Sequence, residues 1–458
     1  MIGWRGHLHS NMIILPDSAK SLLARIHSRE ARVGVIGLGY VGLPLACAIG
    51  KQKFWVIGFD IDHNKTVILN EGRSYLSHVS DNVITTAVTK DGFTATNDFS
   101  RIAEVDIVLI CVPTPLDQHR EPDLSHVTKT AESIAPFLKS GHLIVLESST
   151  YPGTTRDVML PILEQQNLKS GVDYFLAYSP EREDPGNPKF NISHIPKVIG
   201  GHGQAALHVA QAFYDQVVQT TVPMSSLEAA EAVKLTENIF RSVNIALVNE
   251  LKLIYQAMGI DIWEVISGAA TKPFGFMPFY PGPGLGGHCI PVDPFYLTWK
   301  AREYDVPTKF VELAGEINSA MPFYVVERLA WALSEHSRIA LNGARVLIIG
   351  IAYKKNVDDT RESPAFSIME TLEKRGAATS YHDPFVRIIP PTRKHSNLAG
   401  RKSVSLSSAV ISAFDVVLIC TDHDGVDYEE IVKHASLIVD TRNVCARCKA
   451  QGAHIVKA

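Results

Sequence analysis

Arg32-Val33-Gly34-Val35-Ile36-Gly37-Leu38-Gly39-Tyr40-Val41-Gly42 joins an apolar run to three glycines at the Gly-x-Gly-x-x-Gly spacing. The run predicts a strand, the glycines a tight turn, and the residues after Gly42 a helix. In that context the glycines allow a pyrophosphate to approach the helix N-terminus, where free backbone N–H groups and the helix dipole favour an anion. A second run, Trp55-Val56-Ile57-Gly58-Phe59, ends at Asp60. A carboxylate there accepts hydrogen bonds from ribose hydroxyls and repels a 2′-phosphate, which favours NAD over NADP.

Further apolar runs extend the pattern. Val105 to Cys111 and Leu143 to Leu146 are near-continuous, as expected of strands covered on both faces of a parallel sheet, and polar loops follow them at Pro113-Thr114-Pro115 and Ser148-Ser149-Thr150. The pattern returns near the C-terminus: Arg345 to Gly350 parallels the first strand, Phe414 to Cys420 closely repeats Val105 to Cys111, and Ser436 to Asp440 matches the strand before Ser148. Between these halves the chain reads as helical. Ser225-Ser226-Leu227-Glu228 has the form of a capping box with Ser225 as the cap, and no proline interrupts the stretch to about Met258.

The fold class expected is therefore α/β, with two doubly wound Rossmann-like domains joined by a central helical region that contains a long helix. The divisions expected are an N-terminal extension over 1–30, a dinucleotide-binding domain over 31–215, a central helical domain over 216–325 that is also a natural dimerisation surface, and a second Rossmann-like domain over 326–458. A chain of 458 residues, 46% hydrophobic, is long enough for several cores. Its net charge of −4 gives no global reason to bind nucleic acid or an anionic membrane, and no segment reads as a signal peptide or a membrane span. The six cysteines (Cys47, Cys111, Cys289, Cys420, Cys445 and Cys448) are scattered in the manner of reduced, cytoplasmic thiols. Cys445-x-x-Cys448 lacks a second such pair, so no metal is assigned.

Two groups of residues carry chemistry. Pro281-Gly282-Pro283-Gly284-Leu285-Gly286-Gly287-His288-Cys289 is too rich in glycine to be core, and it presents a thiol with Asp293 four residues beyond. Beside a dinucleotide domain, such a thiol suits an oxidation in which thiolate adds to an aldehyde, hydride leaves the thiohemiacetal, and water cleaves the thioester. Glu181, in Ser179-Pro180-Glu181-Arg182, is a candidate base for that water. On the central helix Glu231, Lys234, Asn238 and Arg241 fall on one face. A polar stripe is ordinarily solvated surface; its functional alternative is a lysine and an amide that hold a developing alkoxide. Lys354 and Arg361 follow the first strand of the second domain; each is a candidate phosphate contact at the carboxyl edge of that sheet, the alternative being an ordinary solvated loop charge.

In its ordered motifs from Ala31 onward, the chain resembles the UDP-glucose/GDP-mannose dehydrogenase family. The matching segments are Gly37 to Pro44, Glu147-Ser148-Ser149-Thr150, Ser179-Pro180-Glu181, Lys234 with Asn238, Gly286-Gly287-His288-Cys289, and Asp358-Asp359-Thr360-Arg361-Glu362-Ser363. The resemblance implies a homodimer or higher homo-oligomer that takes a sugar C6 alcohol to a carboxylate in two hydride transfers to NAD. By the same resemblance Cys289 is the thioester nucleophile, Lys234 and Asn238 stabilise oxyanions, and Thr150, Glu181 and Asp293 position or activate water. Gly37, Gly39, Tyr40, Val41, Gly42, Asp60, Thr114, Thr150 and Arg361 are implied to contact NAD. Lys354 and the Tyr280 to Gly286 loop, including Gly284, are implied to contact the sugar nucleotide, with Arg241 and Arg442 as further candidates.

Within the family, Lys272 to Gly284 and His288 to Pro294 look like the branch that takes UDP-N-acetylhexosamines. UDP-glucose enzymes usually carry serine where this chain has His288, and a second glutamate where it has Pro185. The substrate expected is UDP-N-acetylglucosamine, with UDP-N-acetylmannosamine and UDP-glucose as rivals; a nucleotide-sugar sensor without turnover is the alternative of another class.

Overall fold

In the computed structural model, the residues described are 14–458 except Ser77, Gln118, 183–192, His288, Cys289 and Arg393. The chain folds as two compact units that divide between Thr236 and Glu237.

The first unit is built on an eight-stranded sheet. Its strands are β1 (Arg32–Ile36), β2 (Trp55–Phe59), β3 (Phe93–Thr96), β4 (Ile107–Ile110), β5 (Leu143–Leu146), β6 (Phe175–Tyr178), β7 (Lys197–Gly201) and β8 (Thr221–Pro223), in the order β3-β2-β1-β4-β5-β6-β7-β8. All neighbours are parallel except β6 and β7, which run antiparallel. Strands β4, β5 and β6 are buried along their whole length, which is why they read as unbroken apolar runs. One face packs against the helices Gly42–Lys51 and Gln204–Tyr214, the other against Ser125–Ile134 and the start of a long helix at Leu227. The chain order reverses between β1 and β4, and that crevice is where an open parallel sheet binds its ligand.

Residues ahead of β1 form a helix, Asp17–His27, that belongs to this core: Ala19, Leu22 and Ile26 are buried in it, and Arg25 pairs with Asp106 at the start of β4. The helix Leu227–Ala257 has 31 residues. Its N-cap is Ser226, whose hydroxyl oxygen accepts from Ala229 N at 3.1 Å, one residue later than the capping-box reading placed it.

The second unit holds a five-stranded, all-parallel sheet: β9 (Arg345–Ile349), β10 (Ala378–His382), β11 (Val416–Ile419), β12 (Leu437–Asp440) and β13 (His454–Lys457), in the order β10-β9-β11-β12-β13. Helices Lys309–Ala332 and Pro364–Lys374 cover one face and Tyr428–His434 the other. The reversal lies between β9 and β11, so the loops after β9, β11 and β12 share one edge. Two Rossmann-like sheets, the first parallel except where β7 meets β6 and the second parallel throughout, and a long central helix are thus the architecture. Among the described residues no helix is long and apolar enough to cross a membrane, and no group of three or more His, Cys, Asp or Glu side chains is arranged to hold a metal ion.

Candidate active site

The glycine turn after β1 is shaped from both sides. Gly37 has φ +90°, and a Cβ there would meet the Cys111 carbonyl oxygen at 2.7 Å; at Gly42 a Cβ would lie 1.9 Å from the Gly37 oxygen. Both positions therefore require glycine. Gly39 differs, because a Cβ there would meet no atom within 4 Å and would point into open space. That gap, at the N-terminus of a helix with no acidic residue in its first turn, is the shape an approaching pyrophosphate needs. Asp60 is buried at the end of β2 and accepts from Leu38 N (3.1 Å), Asp62 N (3.0 Å) and Lys65 Nζ (3.3 Å), so it also holds the turn in place. Tyr40 stacks on His78, and Thr114 is buried beyond β4.

The carboxyl end of β5 carries a buried charged group. Glu147 accepts from Lys197 Nζ at 2.5 Å and from the Tyr214 hydroxyl, with all three residues almost fully buried. Glu181 Oε2 lies 3.6 Å from the same Nζ. Burial works against the charge of Lys197, but the facing Glu147 and Glu181 carboxylates outweigh it and hold the ammonium above the ordinary lysine range. A lysine opening the apolar run Lys197-Val198-Ile199 was the one local sign of this network. Close by in the chain, Thr150 is 1% exposed and its hydroxyl has no hydrogen-bond partner. A buried hydroxyl in that state is suited to a ligand or a water.

The polar stripe of the long helix is not uniformly solvated. Glu231 is fully buried and accepts from Gly153 N (2.6 Å), Thr155 N (2.9 Å) and Thr155 Oγ1 (2.6 Å), tying the segment after Thr150 to the helix. Burial nevertheless raises its carboxyl to about 7 against those donors. Lys234 is half-buried and Arg241 exposed.

In the second unit Asn238 Nδ2 donates to Asp293 Oδ2 at 2.5 Å, both groups buried, so the amide that would face an oxyanion is oriented by the carboxylate proposed for water. Asp293 opens the helix Asp293–Arg302. The loop ahead of it is fixed through backbone. Gly282 N donates to Asn249 Oδ1 at 3.1 Å, and Gly287 N to the Arg361 carbonyl at 2.9 Å. Gly284 has φ +138°, and a Cβ on Gly286 would lie 2.6 Å from that of Tyr353. Arg442, in the loop after β12, donates from Nε to the Cys420 carbonyl (2.9 Å), and its guanidinium lies so close to Gly282 that a Cβ there would meet Nη1 at 2.7 Å. Arg361 is held by Asp359, with Nη2 2.6 Å from Oδ2. Lys354 lies one residue after Tyr353, its Nζ 5.8 Å from that ring. Tyr280 stacks on Trp263. The structure thus gathers the Tyr280 to Gly287 loop, Arg442 and the Tyr353 to Arg361 segment at the carboxyl edge of the second sheet. His288 and Cys289 lie outside the described residues.

Three family models match in order: the NAD binding domain of the UDP-glucose/GDP-mannose dehydrogenase family over residues 31–218, its central domain over 228–320, and its UDP binding domain over 347–447. The chain belongs to the UDP-glucose/GDP-mannose dehydrogenase family. Its cofactor is NAD, and its substrate is a nucleotide sugar. A UDP-N-acetyl-D-glucosamine 6-dehydrogenase of Pseudomonas aeruginosa is 37% identical over 360 residues, covering 78% of this chain and 84% of that protein. A UDP-N-acetyl-D-mannosamine dehydrogenase of Methanocaldococcus jannaschii is 34% identical over 430 residues, covering 91% and 93%. Among solved structures, the UDP-D-ManNAc dehydrogenase of Pyrococcus horikoshii superimposes with a TM-score of 0.83 at 31% identity, covering 93% of this chain and 98% of that one. This dehydrogenase therefore has relatives named for both C2 epimers.

Proposed function

We propose that this family member is an NAD-dependent UDP-N-acetyl-D-glucosamine 6-dehydrogenase, a cytoplasmic homodimer that makes UDP-N-acetyl-D-glucosaminuronate for surface polysaccharide synthesis. The observation that carries the choice of sugar is the 37% identity to a relative of that name. NAD, when bound on the glycine turn, accepts the hydride of each of two oxidations. Lys234 and Asn238 stabilise the alkoxide of C6, with Asn238 kept in its donor orientation by Asp293. Cys289 adds to the aldehyde as thiolate, and after the second hydride has left, the sugar is held as a thioester. Water, positioned by Thr150 and Asp293 and deprotonated by Glu181, releases the carboxylate and returns the thiolate. Arg442, Lys354 and the Tyr280 to Gly286 loop hold the nucleotide diphosphate, with Arg241 as a further contact. Arg361 contacts NAD.

Limiting UDP-N-acetylglucosamine with excess NAD is expected to yield two NADH per sugar, measured beside UDP-N-acetylmannosamine and UDP-glucose. The same yield from UDP-N-acetylmannosamine alone would move the enzyme to the manno branch, to which the Pyrococcus horikoshii structure belongs. One NADH would end the thioester account, and none from any sugar would favour a sensor.

A further inference from the structure

Lys252 is 4% exposed on the long helix, and its ammonium has no hydrogen-bond partner. It lies over the Tyr324 ring, 5.1 Å from the ring centroid. Arg442 and Arg328 act on it with like charge, and Asp440, the carboxylate that offsets them, already accepts from Arg442 N (2.9 Å) and Cys445 N (2.8 Å). Burial, reinforced by those two guanidiniums, pulls the ammonium down to about 7. A buried cation among cations, with no carboxylate in contact with it among the described residues, is costly unless something else supplies the negative charge.

Lys252 lines a cavity of about 470 Å³, a volume within the range of small-molecule sites. Arg328 lines it too, its guanidinium 4.2 Å over the half-exposed Trp331 ring, and the Gln256 carboxamide, turned so that its oxygen accepts, lies 2.9 Å from Nε. His336 and His454, their ring centroids 3.7 Å apart and the rings tilted by 31°, continue the lining along the edge strand β13. The lining carboxylate is Asp261, which is engaged by Lys457 at 2.6 Å. None of the residues assigned above to the nucleotide sugar lines this cavity.

We propose that the cavity is a second ligand site for a small phosphorylated anion, whose phosphate neutralises Lys252 and Arg328. The chemistry follows from the residues: two converging cations, one of them unpartnered and buried, select a doubly charged group over chloride, and the guanidinium offers the planar fork that phosphate oxygens match. The indole of Trp331 gives the rest of the molecule a flat surface.

The test uses the full-length enzyme with NAD and UDP both saturating, so that the family's own nucleotide sites are filled. Pyrophosphate and AMP are titrated separately by calorimetry at ionic strength held constant with chloride. Saturable binding of either probe is expected, weakened about tenfold or more by Lys252→Met and, independently, by Arg328→Gln. Turnover of the nucleotide sugar without probe should stay within about twofold in Lys252→Met. That variant should also melt higher than the parent, since it removes an amine that must be desolvated, and this verifies its fold. The proposal is overturned if neither probe binds saturably, or if both variants bind as tightly as the parent. The NADH yields bear only on the first proposal, and this titration only on the second.

Discussion

Cys289→Ser is expected to lower uronate formation by roughly three orders of magnitude while leaving affinity for the nucleotide sugar nearly unchanged. The asymmetry follows from the steps. On the proposed mechanism the first oxidation needs an alkoxide, held by Lys234 and Asn238, and NAD; it does not need the thiol. The second needs a tetrahedral carbon that can give up hydride, and a thiolate makes that adduct at neutral pH where a serine hydroxyl, with its far higher pKa, does not. The variant should therefore release at most one NADH per sugar, with an aldehyde in place of the acid. The measurement pairs NADH yield with calorimetric binding of the substrate. If the variant still makes uronate at the parental rate, the covalent account is wrong, and if binding collapses with activity, the cysteine acts in structure rather than chemistry.

How much of this was readable beforehand depends on distance along the chain. The glycine turn is local: Gly37, Gly39 and Gly42 lie within six residues, and the strand that feeds them is buried on both faces, so pattern and structure coincide. The repeat of the β4 pattern at β11 was legible for the same reason. The cap of the long helix was misplaced by one residue because Ser225 and Ser226 are adjacent and either hydroxyl suits the role; only the helix's register decides, and Ser226 accepts from Ala229 N. Glu231 shows a different limit. Helical spacing tells which residues share a face but not what that face meets, and its partners Gly153 and Thr155 lie some eighty residues earlier. Asn238 and Asp293 were each singled out, yet their hydrogen bond spans 55 residues and was not foreseeable from either motif. The Glu147 and Lys197 pair was missed altogether. It depends on β7 returning antiparallel to β6, the one reversal in the first sheet, and the connection between those strands carries no local signal for it.

That pair leads to the largest stability effect expected. In Lys197→Met the Glu147 carboxylate, fully buried, loses its cation while keeping only the Tyr214 hydroxyl. Breaking a buried ion pair from one side costs about 3–5 kcal/mol, because the remaining charge must stay desolvated or take up a proton. For a unit of this size the melting temperature should fall by about 10 °C. Replacing both partners, as Lys197→Met with Glu147→Gln, should recover more than half of the loss, since a neutral pair of similar volume leaves no charge unpaired. The sign of the pH dependence checks the mechanism. Lys197 in the folded protein holds its proton more tightly than in the unfolded chain. Its contribution is therefore fully present below the ordinary lysine pKa and is lost as pH rises through the higher folded value. Between pH 6 and 9, then, the gap in melting temperature between parent and Lys197→Met should hold steady as far as this group is concerned, and it should narrow only at strongly alkaline pH. A single variant that melts within about 2 °C of the parent would show that the pair is not charged as drawn. A double variant no better than the single one would show that the damage comes from lost packing around the lysine stem, not from the stranded carboxylate.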